Sequence, residues 1–398
     1  MDKVEFLIVG GGIIGLSIAK AIVERKNSSD IIILEKEPDV SLHASGRNSG
    51  VLHSGIYYPK KSLKAKFTKT GNKIMKEYCA DKNIKVNNSR KIIVTKNNAE
   101  LKILNELYLN ANSNNINIQM LSEQDLKSIE PNVKTYKKAL YSLDTATVDP
   151  KEVSWNLKND LIKKNIKFYF NEGYKKRETN NCIRTTKGNL IKYKVIINCA
   201  GLYADKVAHE FGFGLNYSVM PFKGTYLKYT PKKIPIHTNI YPVPSKDNPF
   251  LGVHFTFTAE GVLKIGPTAA PAFWRENYKG FDNFCLSELL EIIKQNGSAL
   301  VKNSFNYRSH AKEELKKMSR AYLISLASDM VKDIDLDGFS EWMDSGIRAQ
   351  LIKKNDLSLV SDFIVEGDIN SVHVLNAVSP AFTSSLYFSQ WIVDKYLK

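Results

Sequence analysis

The chain has 398 residues, of which 43% are hydrophobic and 25% charged, so it is an ordinary globular chain long enough for two domains. Its net charge is +16 at pH 7, but the lysines are scattered and form no basic stripe with interleaved aromatic residues, which argues against a nucleic-acid-binding protein. No apolar run reaches the ~18 residues that a membrane span needs, and no basic region precedes a long apolar core, so a cytoplasmic protein is expected.

The four cysteines lie far apart and form no C-x-x-C pair. Their spacing argues against a zinc site, a disulfide framework and a thioredoxin-like centre, and no metal site is predicted. The excess positive charge has two functional interpretations besides a biased composition. It would attract an acidic substrate, or it would favour peripheral contact between a cytoplasmic protein and the anionic inner-membrane surface.

The first 35 residues predict a strand, a glycine turn, a helix and a second strand that ends in Glu35. The turn reads GGGIIG over residues 10–15. Gly10 allows the tight turn, Gly12 lets the backbone approach a pyrophosphate, and Gly15 lets the helix pack close to the strand. Glu35 follows Gly15 by 20 residues, the spacing expected of the acid that binds ribose hydroxyls. The pattern predicts a dinucleotide-binding unit.

A serine- and glycine-rich loop follows over 45–58, and its glycines permit close approach of the backbone to a ligand. Asp149 before Pro150 is a good helix start. Farther along, a strand runs into Gly201, at a second strand-to-glycine junction typical of a ligand-facing sheet edge. The helices predicted in this part are 63–78, 99–112 and 150–164, and the strands are 91–95, 167–171 and 194–199.

The middle of the chain changes character, because short β-like segments alternate with turn residues and predict an antiparallel sheet in a second domain. Along 250–258, Val253, Phe255 and Phe257 face one way, whereas His254 faces the other. These strands are predicted over 224–230, 236–243, 250–258 and 262–266. Helices are then predicted over 285–296, 311–331 and 380–395, with strands over 363–365 and 372–375.

Several stretches resemble a known family. The glycine fingerprint with Glu35 resembles the FAD-dependent oxidoreductases of the D-amino-acid oxidase superfamily. Within it, longer stretches resemble the L-2-hydroxyglutarate dehydrogenases and oxidases, and they span essentially the whole chain. They are NSGVLHSGIYY at 48–58, SLKAK at 62–66, NIYPVP at 239–244, PFLGVHF at 249–255, GIRAQ at 346–350, and SPA with TSS at 379–385.

The resemblance implies an α/β fold of the D-amino-acid oxidase type, in which a Rossmann-like FAD-binding domain is interleaved with an antiparallel-sheet substrate domain. The predicted FAD-binding domain covers 1–90, 142–217 and 333–398, and the substrate or cap domain covers 91–141 and 218–332. The cofactor is expected to be FAD. The residues expected to bind it are Gly10, Gly12, Gly15, Glu35, Lys36, Ser45, Asn48, Ser49, Gly50, Gly201, Ser379 and Thr383.

The chain departs from the family pattern at four positions near the expected flavin or substrate contacts. Arg47 stands where the family usually has His, Lys223 where Arg is usual, and Val378 where Pro is usual. Lys151 ends a segment, TVDPK, that differs from a typical Gly-Ile-Val-Asp-Tyr-Arg-like stretch. These departures leave the exact substrate open.

Flavin oxidation of a 2-hydroxy acid needs a base for the hydroxyl proton and a cation that fixes the C1 carboxylate. His53 is the first candidate for the base, because the resemblance places its loop beside the isoalloxazine. His254 is the second candidate. For each, the alternative is a histidine that only forms structural hydrogen bonds.

Arg348 is the best candidate for the carboxylate clamp, both catalytic and substrate-binding, since a guanidinium binds a carboxylate through two hydrogen bonds. Lys223 and Arg275 are candidates for a second carboxylate, with a surface salt bridge as the alternative for each. Tyr57 and Tyr58 would close the pocket or simply pack.

The sequence therefore predicts an enzyme that oxidises L-2-hydroxyglutarate to 2-oxoglutarate by hydride transfer to FAD and passes the electrons to oxygen or a quinone. Its partner would be a small 2-hydroxy dicarboxylate rather than a nucleic acid. Two alternatives stay open: an oxidase of another 2-hydroxy acid or an amino acid on the same fold, and a non-catalytic flavin-binding or nucleic-acid-associated protein. The oligomeric state is not predicted.

Overall fold

A computed structural model describes residues 1–245 and 252–397. The strands, in chain order, are β1 Asp2–Val9, β2 Ile31–Leu34, β3 Val51–Leu52, β4 Val86–Asn87, β5 Lys91–Val94, β6 Ile118–Ser122, β7 Lys138–Ser142, β8 Ala146–Val148, β9 Lys167–Tyr169, β10 Tyr174–Thr179, β11 Cys182–Thr185, β12 Leu190–Asn198, β13 Tyr217–Gly224, β14 Leu227–Tyr229, β15 Asn239–Pro242, β16 His254–Phe257, β17 Leu263–Gly266, β18 Ala270–Pro271, β19 Phe339–Trp342, β20 Gly346–Lys353, β21 Ile364–Gly367 and β22 Ser371–Asn376. The helices are α1 Ile13–Lys26, α2 Leu63–Asp81, α3 Asn98–Ser113, α4 Glu123–Ile129, α5 Pro150–Lys163, α6 Ala204–Glu210, α7 Leu286–Lys302, α8 Tyr307–Lys317, α9 Arg320–Ser328 and α10 Ala381–Tyr396.

The first sheet is built around β1. Its parallel part runs in the order β9-β2-β1-β12-β22, and the β10–β11 hairpin and β21 extend it with antiparallel pairs. All four residues of β2 are buried, as expected for a parallel strand covered on both faces. The glycine turn follows β1 at the carboxyl edge of this sheet, which is where open α/β sheets bind their ligands.

Helices α1, α2, α5 and α10 pack with one another against the first sheet. Apolar side chains from all four helices join one core with the strand residues Ile8 and Ile33. Burial of this size stabilises the framework by about 1.5–3 kcal/mol for each large apolar side chain. The framework fixes the positions of the loops at the carboxyl edge.

The second sheet runs in the order β19-β14-β17-β16-β15-β5-β7-β6, with only the β5–β15 pair parallel. Its side chains alternate between two faces. One face carries apolar residues such as Ile92, Ile240 and Phe255, which pack in one cluster with residues of α9. The register places Lys91 and Tyr241 on the other face. Apolar residues of this second face, such as Ile93 and Leu140, pack against α3, so Lys91 is a charged group on a largely covered face.

A third sheet, β18-β13-β20, is antiparallel, and β13 and β20 pair over their whole length. Within this pair, Phe222 lies opposite Arg348, and Lys223 lies opposite Ile347. A small sheet, β3-β8-β4, completes the strand pairing. Among the described residues, no helix is both long and apolar enough to cross a membrane.

Two predicted features differ from the structure. The single helix predicted over 311–331 is wrong, because the chain forms α8 and α9, and the Ser319 side chain caps the start of α9. Strand β19 pairs with β14 in the second sheet, although the predicted division groups 333–398 with the first sheet. The other domain bounds stay predictions. The predicted strand over 250–258 is β16 in its later part, and residues 250 and 251 lie outside the described residues.

Candidate functional site

The glycine turn after β1 has the geometry that the sequence predicts. Gly10 has φ +108°, and a Cβ there would lie 2.5 Å from the carbonyl oxygen of Cys199. A Cβ on Gly15 would lie 2.0 Å from the carbonyl oxygen of Gly10. Any larger residue at either position would have to displace backbone atoms, so the close approach of α1 to β1 depends on these glycines.

The start of α1 suits an anionic group. Gly12 is the N-cap, no side chain caps the helix from this position, and the first turn contains no acid. The Ile13 N–H donates to Ser45 Oγ at 2.9 Å, which brings the serine-rich loop to the helix terminus. A helix N-terminus with its positive dipole favours phosphate, so these residues fit the pyrophosphate of a dinucleotide.

Glu35 lies beside this turn, at the end of β2. Its carboxylate accepts the Gly11 N–H at 2.7 Å and the Glu37 N–H at 3.0 Å. Burial raises its pKa from the usual value. A carboxylate has about four acceptor positions, so these two hydrogen bonds leave capacity for ribose hydroxyls.

Lys36, a predicted cofactor contact, forms ion pairs with two acidic side chains. Its ammonium group pairs with Glu37 at 3.1 Å and also with Glu276. A phosphate at this position would have to compete with two carboxylates. Glu37 and Glu276 lie close to His43 in a cluster that could hold a metal ion, but the Lys36 ammonium already supplies a cation there.

Asn48, Ser49 and Gly50 shape the loop before β3. The Asn48 side chain donates to the Ser45 carbonyl at 2.7 Å and accepts the Gly50 N–H at 2.8 Å. Gly50 has φ +75°, and a Cβ there would lie 2.2 Å from the Val148 carbonyl oxygen. The Ser49 carbonyl accepts from the Lys264 ammonium at 3.4 Å. These contacts fix the loop against β8 and the second sheet.

The start of α10 closes the site from another side. Thr383 is buried in the first turn of this helix, and Ser379 precedes it in an exposed position. Ser379 Oγ lies 3.4 Å from His53 Nε2.

Gly201 follows the end of β12. It has φ +56°, and a side chain there would meet open space, so glycine is favoured at this position by backbone conformation alone.

The two ring nitrogens of His53 have different surroundings. Its Nδ1 is buried and makes no hydrogen bond within the described residues, whereas Nε2 faces Ser379. Burial, together with the nearby charges of Lys91, His254 and Lys64, holds the pKa of His53 well below its usual value. The imidazole is therefore neutral near pH 7 and can accept a proton.

Three cations lie in this part of the site, and the sequence predicted only Arg348. The charges of Lys64 and Lys91 act on His53, and that of Arg348 acts on Lys64. Burial lowers the pKa of Arg348, on β20, to about 10. Burial lowers the pKa of Lys64 to about 7, with a further contribution from Arg348. Burial also lowers the pKa of Lys91 to about 7. Lys64 lies inside a stretch that carries the family resemblance, but sequence reasoning gave it no role.

Lys91 lies between aromatic rings on the α3 side of the second sheet. It is 1% exposed, and its ammonium lies 5.2 Å from the Tyr57 ring centre and 4.4 Å from that of Tyr241. Cation–π contacts of this kind stabilise a desolvated ammonium group, but no ion pair of Lys91 is found within 1–245 and 252–397. The Tyr57 hydroxyl is buried and has no hydrogen-bond partner among those residues. Lys91 and Tyr57 together indicate a place for a polar ligand.

His254 lies on the same face of the second sheet as Lys91 and Tyr241, and it is more enclosed than His53. Its ring stacks on Tyr241, with ring centres 3.8 Å apart. Its Nδ1 lies 2.7 Å from the Gly252 carbonyl oxygen, so Nδ1–H donates there. Burial lowers the pKa of His254 to about 3. This histidine is held in a neutral, positioned state and is the weaker candidate for the base.

The two residues predicted for a second carboxylate do not join this cluster. Arg275 is buried and binds Asp205 through two hydrogen bonds of 2.7 and 2.9 Å, so its guanidinium is already neutralised. Because the Arg275–Asp205 pair is buried, it is also not the surface salt bridge that was the alternative for Arg275. Lys223 lies opposite Ile347 in the β13–β20 pair, and therefore points to the face opposite that of Arg348.

Three of the four departures from the family pattern, Arg47, Lys151 and Val378, differ in their contacts and burial. The Arg47 guanidinium donates to the carbonyls of Leu42 and Ser345 and lies 4.4 Å from the Tyr278 ring centre. Lys151 is exposed in the first turn of α5, and Val378 is buried before α10. Tyr58 lies in the cluster, where the Arg348 charge acts on its hydroxyl and Ser379 forms a hydrogen bond with it.

Comparisons with known proteins identify the family of the chain. The family model described as FAD dependent oxidoreductase (DAO) matches residues 5–395. The mitochondrial L-2-hydroxyglutarate dehydrogenase of Homo sapiens is 35% identical over 416 residues, covering 98% of this chain and 88% of the relative. The L-2-hydroxyglutarate dehydrogenase of Escherichia coli (strain K12) is 31% identical over 395 residues, covering 98% and 92%.

Solved structures share the fold. The L-α-glycerophosphate oxidase of Mycoplasma pneumoniae, with FAD bound, has a TM-score of 0.78 at 22% identity and covers 99% of this chain and 94% of that one. Glycine oxidase from Geobacillus kaustophilus has a TM-score of 0.73 at 16% identity and covers 100% and 95%. The predicted fold class is confirmed. The chain belongs to the DAO family of FAD-dependent oxidoreductases and is an enzyme whose cofactor is FAD.

Proposed function

We propose that this enzyme oxidises L-2-hydroxyglutarate to 2-oxoglutarate. The observation that carries the proposal is the neutral His53 with the buried Lys64 and Lys91 close to it, and with Arg348 next to Lys64. A buried ammonium such as that of Lys91 is costly without an ion-pair partner, and the far carboxylate of a dicarboxylate would supply one. The names of relatives at 31–35% identity over 97–99% of the chain support the same substrate.

The glycine turn, the N-terminus of α1 and Glu35 would hold the FAD, which supplies the hydride acceptor when bound. His53 Nε2 takes the hydroxyl proton of the substrate, because it faces the exposed side of the site near Ser379. A neutral imidazole in this position lowers the barrier by general-base catalysis. The binding of FAD and the proton transfer to His53 are both assigned to side chains and backbone groups of this chain.

The two carboxylates of the substrate would bind to different parts of the cluster. Arg348 suits the C1 carboxylate, since its planar guanidinium forms two parallel hydrogen bonds and fixes the C2 hydrogen for transfer. Lys64 lies near Arg348 and adds positive charge at that end. Lys91 lies on the second sheet and suits the C5 carboxylate, which would restore its charged state.

An anaerobic titration with L-2-hydroxyglutarate tests the proposal directly. We expect the visible absorbance of the oxidised flavin to bleach with about one equivalent of the L form. The D form serves as the control and should leave the spectrum unchanged. A flavin that stays oxidised with the L form but bleaches with an amino acid or another 2-hydroxy acid would exclude this substrate and keep the reaction class.

The electrons would pass to oxygen or to a membrane quinone. We propose a quinone as the acceptor that accounts for peripheral membrane contact, for which a surface is described below. Anaerobic turnover with a water-soluble quinone should then be faster than oxygen consumption in its absence. Equal turnover with oxygen alone would assign an oxidase.

A further inference from the structure

Helix α7 presents an apolar stripe to solvent. Leu286, Leu290, Ile293, Leu300 and Val301 are each 47–75% exposed. At 3.6 residues per turn they fall within an arc of about 100° on one side of the helix. A soluble surface helix normally turns such a stripe toward the core. Here only Ile292 and Ala299 are buried on the inner side, and the larger apolar stripe faces solvent.

The inner face of α7 is where its acids lie. The Glu288 carboxylate accepts the backbone N–H of Arg275 at 2.9 Å. Glu291 pairs with Lys206 at 2.8 Å and lies 3.6 Å from the Arg275 guanidinium. These contacts fix the rotation of α7 about its axis, so the apolar stripe faces outward because the acids are bound to the protein body.

Basic groups border the stripe. Lys294 and Lys302 are exposed on α7, and the Arg308 guanidinium donates to the Leu300 and Val301 carbonyls at the end of the helix. Lys312 and Lys316 are exposed on α8. The exposed Asp282 lies before the helix, in a loop whose Phe281 and Phe284 add aromatic surface.

We propose that the outer face of α7 binds an anionic lipid surface. An apolar stripe bordered by lysines on a helix too polar to span a bilayer is typical of a helix that lies in the membrane interface. Two copies of this face would bring lysines of like charge together, so charge disfavours a self-associated pair. The net charge of +16 acts in the same direction. This inference requires no particular substrate.

Co-sedimentation of the FAD-loaded enzyme with vesicles tests the proposal. We expect binding to phosphatidylcholine vesicles that contain phosphatidylglycerol, and weaker binding to phosphatidylcholine alone. The double variant Leu290→Asp with Ile293→Asp should bind the anionic vesicles about tenfold or more weakly, because it buries two carboxylates instead of two apolar groups. Flavin absorbance and anaerobic bleaching should be unchanged.

A matched control replaces two exposed apolar residues elsewhere, Leu109→Asp with Ile369→Asp, which are 68% and 80% exposed. This variant should bind vesicles like the wild type. The proposal is overturned if the wild type does not sediment with anionic vesicles, or if both double variants bind equally. It is also overturned if gel filtration shows a wild-type oligomer that only the α7 variant dissociates, because the stripe would then be an interface between copies.

Discussion

Thr383 fixes the backbone position of His53. The Thr383 Oγ1 accepts the His53 N–H at 3.1 Å, and its hydroxyl donates to the Val51 carbonyl at 3.2 Å. One buried hydroxyl therefore joins the first turn of α10 to the strand that leads into the proposed base. His53 depends on an element 330 residues away in the sequence for its placement.

Replacing Thr383 with Val should reduce both stability and catalysis. The valine keeps the shape but leaves one donor and one acceptor unpaired, at a cost of about 1–3 kcal/mol in the free energy of unfolding. Chemical denaturation and kcat measure the two effects. Thr383→Ser keeps the hydroxyl and should restore most of both; if Ser behaves like Val, the hydroxyl contacts are not the cause.

Replacing His53 with Gln should slow flavin reduction by about 100- to 10,000-fold, the usual range for loss of a general base. Stopped-flow absorbance under anaerobic conditions measures this rate with FAD bound. His254→Gln should have a smaller effect, because that ring is enclosed by Tyr241 and its Nδ1–H is used by a carbonyl. The reverse order of effects would assign the base to His254.

Replacing Lys91 with Met should lower kcat/KM for L-2-hydroxyglutarate about 10- to 100-fold, through loss of a charge-assisted hydrogen bond. Activity with L-2-hydroxypentanoate, which lacks the far carboxylate, should not fall. The matched control is Lys223→Met, which lies on the opposite face from Arg348 and should leave the ratio of the two substrates unchanged. An equal loss for both substrates in Lys91→Met would exclude a role at the far carboxylate.

Rising pH should weaken substrate capture above about pH 7. The pKa values of Lys64 and Lys91 are lowered to about 7, so the charged forms that bind carboxylates are present below that pH and lost above it. Because the same groups have a pKa of about 10.4 when unfolded, the unfolded chain binds more protons between those values, and these two groups make stability rise with pH there. A pH profile of kcat/KM, compared with that of Lys91→Met, tests this: the decline should be smaller in the variant.

Replacing Arg275 with Met should destabilise the fold by about 3–5 kcal/mol, because Asp205 is left buried and uncompensated. The free energy of unfolding from denaturant titration measures the loss. The double variant Arg275→Met with Asp205→Asn should recover part of it. If Arg275 instead bound substrate, the single variant would raise KM without lowering stability.

Local patterns carry more of the expected cofactor site than of the substrate site. The close packing at Gly10 and Gly15 and the position of Glu35 beside the turn follow from spacing within one short unit, and their contact with FAD stays a prediction. Lys91 was missed because its aromatic neighbours are contributed by distant strands and loops. An alternation signal was present, since Lys91 lies one residue before Ile92 and three before Val94, and therefore faces away from both of these core residues.

The face that Lys223 occupies could not be predicted, for a different physical reason. Which face of β13 it occupies depends on the register with β20, more than 120 positions later, and a shift by one residue would move it to the other face. Composition also gave no sign that Arg275 would meet Asp205. Pairing between distant segments therefore limits the assignment of charged residues from sequence.

The buried pair of Arg275 and Asp205 connects two distant parts of the molecule. Asp205 also accepts the Val219 N–H of β13 at 2.9 Å, and β13 pairs with the strand that carries Arg348. On its other side, Arg275 contacts both acids of α7. One buried ion pair therefore connects the strand pair that carries Arg348 to the helix whose apolar stripe faces solvent, so loss of Arg275 would remove the support of both at once.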